Sequence, residues 1–188
     1  MTNTLRTSSA TQNGRVKVWD PVVRIFHWSL VAAFAVAYLT EDDADFVHQW
    51  SGYAALALVA FRVLWGLIGT RHARFSDFVP RPAKLIEYVG LVLRGRESRY
   101  LGHNPAAAIM ILFLLLAVGM IGVSGWLLTT DWGWGSEVLE DIHETAVNIT
   151  LVAITLHVFA AIYESFRHRE NLVRSMFTGY KRALTHKK

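Results

Sequence analysis

The sequence predicts an all-α protein, an integral membrane four-helix bundle with an extra interfacial helix in its cytoplasmic connection. Three observations carry this. First, 53% of the 188 residues are hydrophobic and the mean hydropathy is +0.29, high for a soluble domain. Second, four apolar stretches (22–40, 46–70, 105–129 and 138–165) are each long enough to cross a hydrocarbon core about 30 Å thick, which takes roughly 20 residues. Third, the 19 Lys and Arg gather beyond the ends of those stretches, as membrane topology arranges them. That pattern also argues against a nucleic-acid partner, despite a pI near 9.6.

Residues 1–17 read as a polar tail without the apolar core of a secretory signal. Residues 18–182 read as one domain and 183–188 as a basic tail. The first span holds Arg24 and His27 near its start. The second holds His48, Gly52 and Arg62. The 71–104 connection contains PRPAKLIEYVGLVLRGR, too short to span, which reads as a helix lying at the membrane surface. Asn104-Pro105 has the form of an N-cap and first helical position for the third span. The fourth span carries His143 and His157.

Charge sets the orientation. Lys and Arg occupy the two tails, the 71–104 connection, and span positions near those ends (Arg24, Arg62). The other two connections hold only acids: Glu41, Asp42, Asp43 and Asp45, then Asp131, Glu137, Glu140 and Asp141. Both termini and the basic connection are therefore expected in the cytoplasm, as in a multi-pass protein of a bacterial inner membrane. Trp19, Trp28 and Trp65 fall near the inner boundary, and Trp50, Trp126, Trp132 and Trp134 near the outer, as an aromatic belt would.

The chain has no cysteine, which excludes disulfides, iron–sulfur clusters and c-type haem attachment. A redox metal would need His, Met, Tyr or carboxylate ligands. His143 and His157 are fourteen residues apart. On a helix that spacing returns to within roughly 40° and advances about 21 Å, so both imidazoles share one face at different depths. With the orientation above, His48 and His143 fall at the outer level and His27 and His157 at the inner. Bis-histidine pairs from facing helices at two depths are what two non-covalent b-type haems require. Zinc would instead want three or four donors converging on one point, and a proton relay or transporter more spans or mid-membrane carboxylates.

Arg62 follows His48 by the same fourteen residues, which puts a guanidinium at the inner level to meet haem propionates or, alternatively, to snorkel to the boundary. Gly52, one turn beyond His48, would let a flat porphyrin approach. Gly119, Gly122, Ser124 and Gly125 could do the same or serve helix packing. His72, His103, His168 and His186 fall in connections or tails, where solvated roles are the default. The acidic outer rim is a solvated loop or a docking face for a cationic redox protein.

Trp19-Asp20-Pro21, Arg24, Phe26-His27-Trp28, His48 with Gly52, Arg62 with Trp65-Gly66, Gly102-His103-Asn104-Pro105, His143-Glu144, Leu156-His157 and His168-Arg169-Glu170-Asn171-Leu172 together resemble the bacterial cytochrome b561 and nickel–iron hydrogenase b-type cytochrome family. The resemblance implies a four-helix, di-haem protein whose first, second and fourth spans supply the ligands. It further implies electron transfer between membrane quinone and a partner, either dehydrogenase or hydrogenase subunits or a periplasmic redox protein. Alternatives are a stand-alone quinone oxidoreductase acting on a small oxidant such as superoxide, and a non-haem transporter or assembly subunit. No catalytic nucleophile or phosphate loop is evident, and a homodimer is left open.

Overall fold

The computed structural model describes residues 14–41, 44–70 and 73–183. Asp42, Asp43, His72 and His186 lie outside the described residues. In chain order the elements are β1 (Arg15–Lys17), α1 (Pro21–Leu39), α2 (Asp45–Ile68), α3 (Phe75–Phe78), α4 (Pro82–Leu93), α5 (Pro105–Leu128), α6 (Glu137–Arg167), α7 (Leu172–Thr178) and β2 (Tyr180–Arg182). The four expected spans are α1, α2, α5 and α6, each long and apolar enough to cross a membrane. The expected interfacial helix is α4.

Local chemistry sets the helix starts. Asp20 Oδ1 accepts from the Val22 N–H at 2.7 Å, with Pro21 following as the first helical residue of α1. Asn104 Oδ1 accepts from the Ala107 N–H at 2.7 Å, and Pro105 opens α5 as its sequence foretells. α6 begins with Glu137 and Glu140 and ends with Arg167, charges that complement its dipole at both ends.

α1 packs on α2, α2 on α5, and α5 on α6, while α4 leans on α5. Phe26 of α1 meets Ala55 and Val59 of α2 and Leu115 and Val118 of α5 at the centre. Gly122 and Gly119 serve this packing. A Cβ on Gly122 would come 2.8 Å from Leu56 Cβ, and one on Gly119 3.7 Å from Val59 Cγ1. Leu39, Leu64, Ile68 and Leu116 face outward, where hydrocarbon rather than water is their favourable surrounding.

The end of the bundle that carries the basic residues is closed by β1 and β2. β1, within the stretch expected as a polar tail, pairs antiparallel with β2, Val16 opposite Lys181. The N–H groups of Val18 and Trp19 both donate to the Gly179 carbonyl, at 2.9 and 3.1 Å. Gly179 ends α7 in the left-handed region at φ +86°, a conformation glycine adopts without strain. Trp19 is not the belt residue its position suggested. It is buried beneath this segment, with its indole N–H on Ser175 Oγ at 3.1 Å and the Lys181 ammonium 5.0 Å from its ring. Burial lowers Lys181 to about 8. Trp50, Trp126, Trp132 and Trp134 are exposed at the opposite, acidic end, as a belt requires.

Candidate functional site

At the acidic end His48 of α2 and His143 of α6 face each other with ring centroids 6.3 Å apart and planes turned 65°. A metal–imidazole bond is about 2.0–2.1 Å long, and each nitrogen lies about 1.1 Å from its ring centre, so two imidazoles on opposite sides of one metal have centroids about 6.3 Å apart. The separation matches. Rotation of either ring about the shared axis leaves this distance unchanged, so the interplanar angle is permitted.

The other nitrogen of each ring is held. His48 Nδ1 lies 2.9 Å from the Ala37 carbonyl of α1, which can only accept, so Nδ1 carries the proton and Nε2 keeps its lone pair. His143 Nδ1 lies 3.1 Å from Ser124 Oγ, whose own hydrogen goes to the Met120 carbonyl at 2.8 Å. That leaves a serine lone pair for Nδ1–H and again frees Nε2. Metal-binding histidines are oriented by this kind of contact.

The two histidines line an open, mostly apolar cleft between α1, α2, α5 and α6, with Phe34, Gly52, Gly122 and Val147 among its walls. A Cβ on Gly52 would meet nothing within 4 Å, whereas one on Gly125 would stand 3.0 Å from the His143 ring. Gly52 thus leaves the cavity open, and Gly125 makes room for the ligand itself.

At the other level, His27 of α1 lies near enough to His157 of α6 to feel its charge, although the two helices are not packed neighbours. The surroundings are rich in donors without acceptors. Among the described residues, His27 Nδ1, Arg24 Nε, Trp28 Nε1, Arg62 Nη1 and Trp65 Nε1 are all buried and have no hydrogen-bond partner. Buried polar atoms are rarely left so. Four of these are donors on adjoining turns of α1 and α2, which suit a ligand that brings acceptors, and the carboxylates of haem propionates are such acceptors. The Arg62 side chain is buried rather than snorkelling, with 3% of its surface exposed. Its Nη2 donates to the Ala73 carbonyl at 3.1 Å and its guanidinium lies 5.0 Å from the Phe75 ring, leaving Nη1. Arg24 donates through Nη1 to the Phe177 carbonyl, and Trp28 stacks on the Phe177 ring at 4.3 Å.

Among the described residues no three His, Asp or Glu side chains converge, so the available metal donors come in pairs. Two histidines expected in solvent are instead packed. His103 sits 4.7 Å from the Trp19 ring and 4.8 Å from Phe78. His168 Nε2 lies 3.1 Å from Glu164 Oε2.

Residues that sequence reasoning missed are the partners: the Ala37 carbonyl, the pairing of Ser124 with His143, the unmatched indoles of Trp28 and Trp65, and Glu164. Only Glu164 left a signal, since it follows His157 by seven residues and so shares its face.

Residues 18–179 match the family model described as prokaryotic cytochrome b561. Among curated proteins the chain is 26% identical to a probable Ni/Fe-hydrogenase B-type cytochrome subunit of Rhodobacter capsulatus, over 88% of this chain and 81% of that one. It is 24% identical to the subunit of the same description from Rhizobium leguminosarum bv. viciae, over 90% of each. For the one from Cupriavidus necator the figures are 27%, 87% and 86%. No solved structure matches the chain.

Proposed function

The chain belongs to the prokaryotic cytochrome b561 family, and from that membership we propose that it is a di-haem relay between the quinone pool and a redox partner. It is a multi-pass membrane cytochrome of b type that serves electron transfer. The finer reading is ours: one haem between His48 and His143, a second between His27 and His157, and electron passage from one face of the bilayer to the other. A bound haem supplies a one-electron Fe(III)/Fe(II) couple.

The observation that carries this reading is the outer pair, with two imidazoles at metal-spanning distance, both Nδ1 groups engaged and an open wall at Gly52. His48 and His143 supply Nε2 lone pairs, Ala37 and Ser124 fix their orientation, and the apolar walls keep water away. At the inner level His27 and His157 would hold the second haem, and Arg62 would offer its Nη1 donor to a propionate. Rigid helices hold each pair in place, so little rearrangement accompanies a change of charge.

The charge pattern supports a cytoplasmic location for the basic end and both termini. The relatives' descriptions favour a hydrogenase as partner over stand-alone oxidation of a small molecule. The acidic rim (Asp131, Glu137, Glu140, Asp141) then faces the periplasm, where the partner would meet it. Anaerobic mixing of reduced purified protein with a soluble quinone tests the relay. Reoxidation within seconds is expected for the purified protein, and haems that stay reduced would contradict quinone as the electron acceptor.

A further inference from the structure

Two sequence signatures at the basic end, Asn104 and His168, have no part in holding haem. They meet at one carboxylate. Glu164 Oε1 accepts from the Asn104 amide at 3.1 Å and from the Tyr88 hydroxyl at 3.3 Å, and Glu164 Oε2 lies 3.1 Å from His168 Nε2. Three elements therefore converge on Glu164: α4, the cap of α5, and the end of α6. The cluster is half-buried, with 20% of the Glu164 side chain and 16% of the His168 side chain exposed. Glu164 stands two turns below His157 on the same helical face, about 10 Å along the axis.

We propose that Glu164 and His168 form a proton-uptake site that makes reduction of the inner haem proton-coupled. This rests on the di-haem reading above. The balance is simple: were the redox partner or a quinol to pass one electron to a bound inner haem, one proton from the cytoplasmic solvent would bind the His168 imidazole against the Glu164 carboxylate. The pair thereby offsets the added charge, and oxidation returns the proton to the same side. Histidine is the side chain that changes charge between about pH 5 and 8. An added unit charge about 10 Å away raises proton affinity by about tenfold at an effective dielectric near 20.

The neighbours hold the carboxylate in place, and Glu97, whose Oε1 pairs with Arg167, also faces His168. Tyr88 is raised well above the ordinary tyrosine range by burial and by Glu164, so it stays a donor. Lys181 of β2 feels Glu164 as well, while Glu97 pairs through Oε1 with Arg167 at 2.8 Å and Glu170 pairs with Arg99 at 2.8 Å. Asn104 carries no charge and His103 packs between aromatic rings.

Redox titration of the haem-loaded protein between pH 6 and 8 tests the proposal. The reduced state binds the proton more tightly, so the inner haem's midpoint potential should fall as pH rises, by about 59 mV in all for a tenfold change in affinity and one electron. The fall should disappear in both Glu164→Gln and His168→Gln and persist in Lys181→Gln, with the outer haem's potential as an internal control for folding. A flat wild-type inner potential, or a fall that survives in either of the first two variants, overturns it. A protein with fewer than two haems fails the di-haem reading instead, and the spectrum shows this before any titration.

Discussion

At the residue scale, His48 and His143 are expected to act through Nε2, because the contact at each Nδ1 decides which nitrogen is free. His48→Ala should remove the outer haem and leave the inner; His157→Ala should do the reverse, and haem quantitation of each purified variant checks both. Ser124→Ala leaves the buried Nδ1 of His143 without its partner, and outer-haem affinity should drop by about 10–100-fold in a haem-competition assay. Gly52→Leu fills the open wall and should exclude the outer haem alone, which the loss of one set of α-band features would report. Arg62→Met removes a buried positive charge near the inner pair. The inner potential should fall, by about 59 mV if the equilibrium shifts tenfold, and a drop in the outer potential instead would argue against its placement.

At the element scale, spacing made the site legible before any fold was known. A fourteen-residue repeat on an α-helix returns to one face, and the hydrocarbon layer obliges the chain to cross in whole helices, so His143 with His157 and His48 with Arg62 could be ordered by depth. Contacts between distant segments left no such trace. Nothing periodic links Ala37 to His48, Trp19 to Ser175 or Arg15 to Arg182, and the 15–17 stretch reads as polar tail until its partner strand is known. Small residues were ambiguous for a related reason. Gly52 opens a cavity and Gly122 admits Leu56, yet either role needs only a missing side chain. The terminal latch has its own pH dependence. Lys181 has its pKa lowered by burial to about 8, so between about 8 and 10.5 the unfolded chain binds more protons than the folded one. Stability should therefore rise with pH across that window, measured as thermal unfolding in detergent, and the rise should vanish in Lys181→Met.

At the scale of the whole molecule, the four spans and their order were legible because lipid imposes length and apolarity on each. The gap between α1 and α6 was not, since nothing in the sequence says that α1 leans on α2 rather than on α6. That gap matters. Helices packed directly against one another would leave His27 and His157 no room for a flat ligand, whereas α1 and α6 are not packed neighbours here. The bundle thus brings His48 and His143 face to face at one level, sets unmatched donors around His27 at the other, and is closed at the basic end by β1 and β2. Haem quantitation with a reduced-minus-oxidised spectrum, taken on wild type and on His157→Ala, tests this arrangement most directly. Two b-type haems per chain, with one lost in the variant and the His48–His143 haem retained, is the expected result. No Soret band, or both haems lost together while the helical content is unchanged, would contradict it.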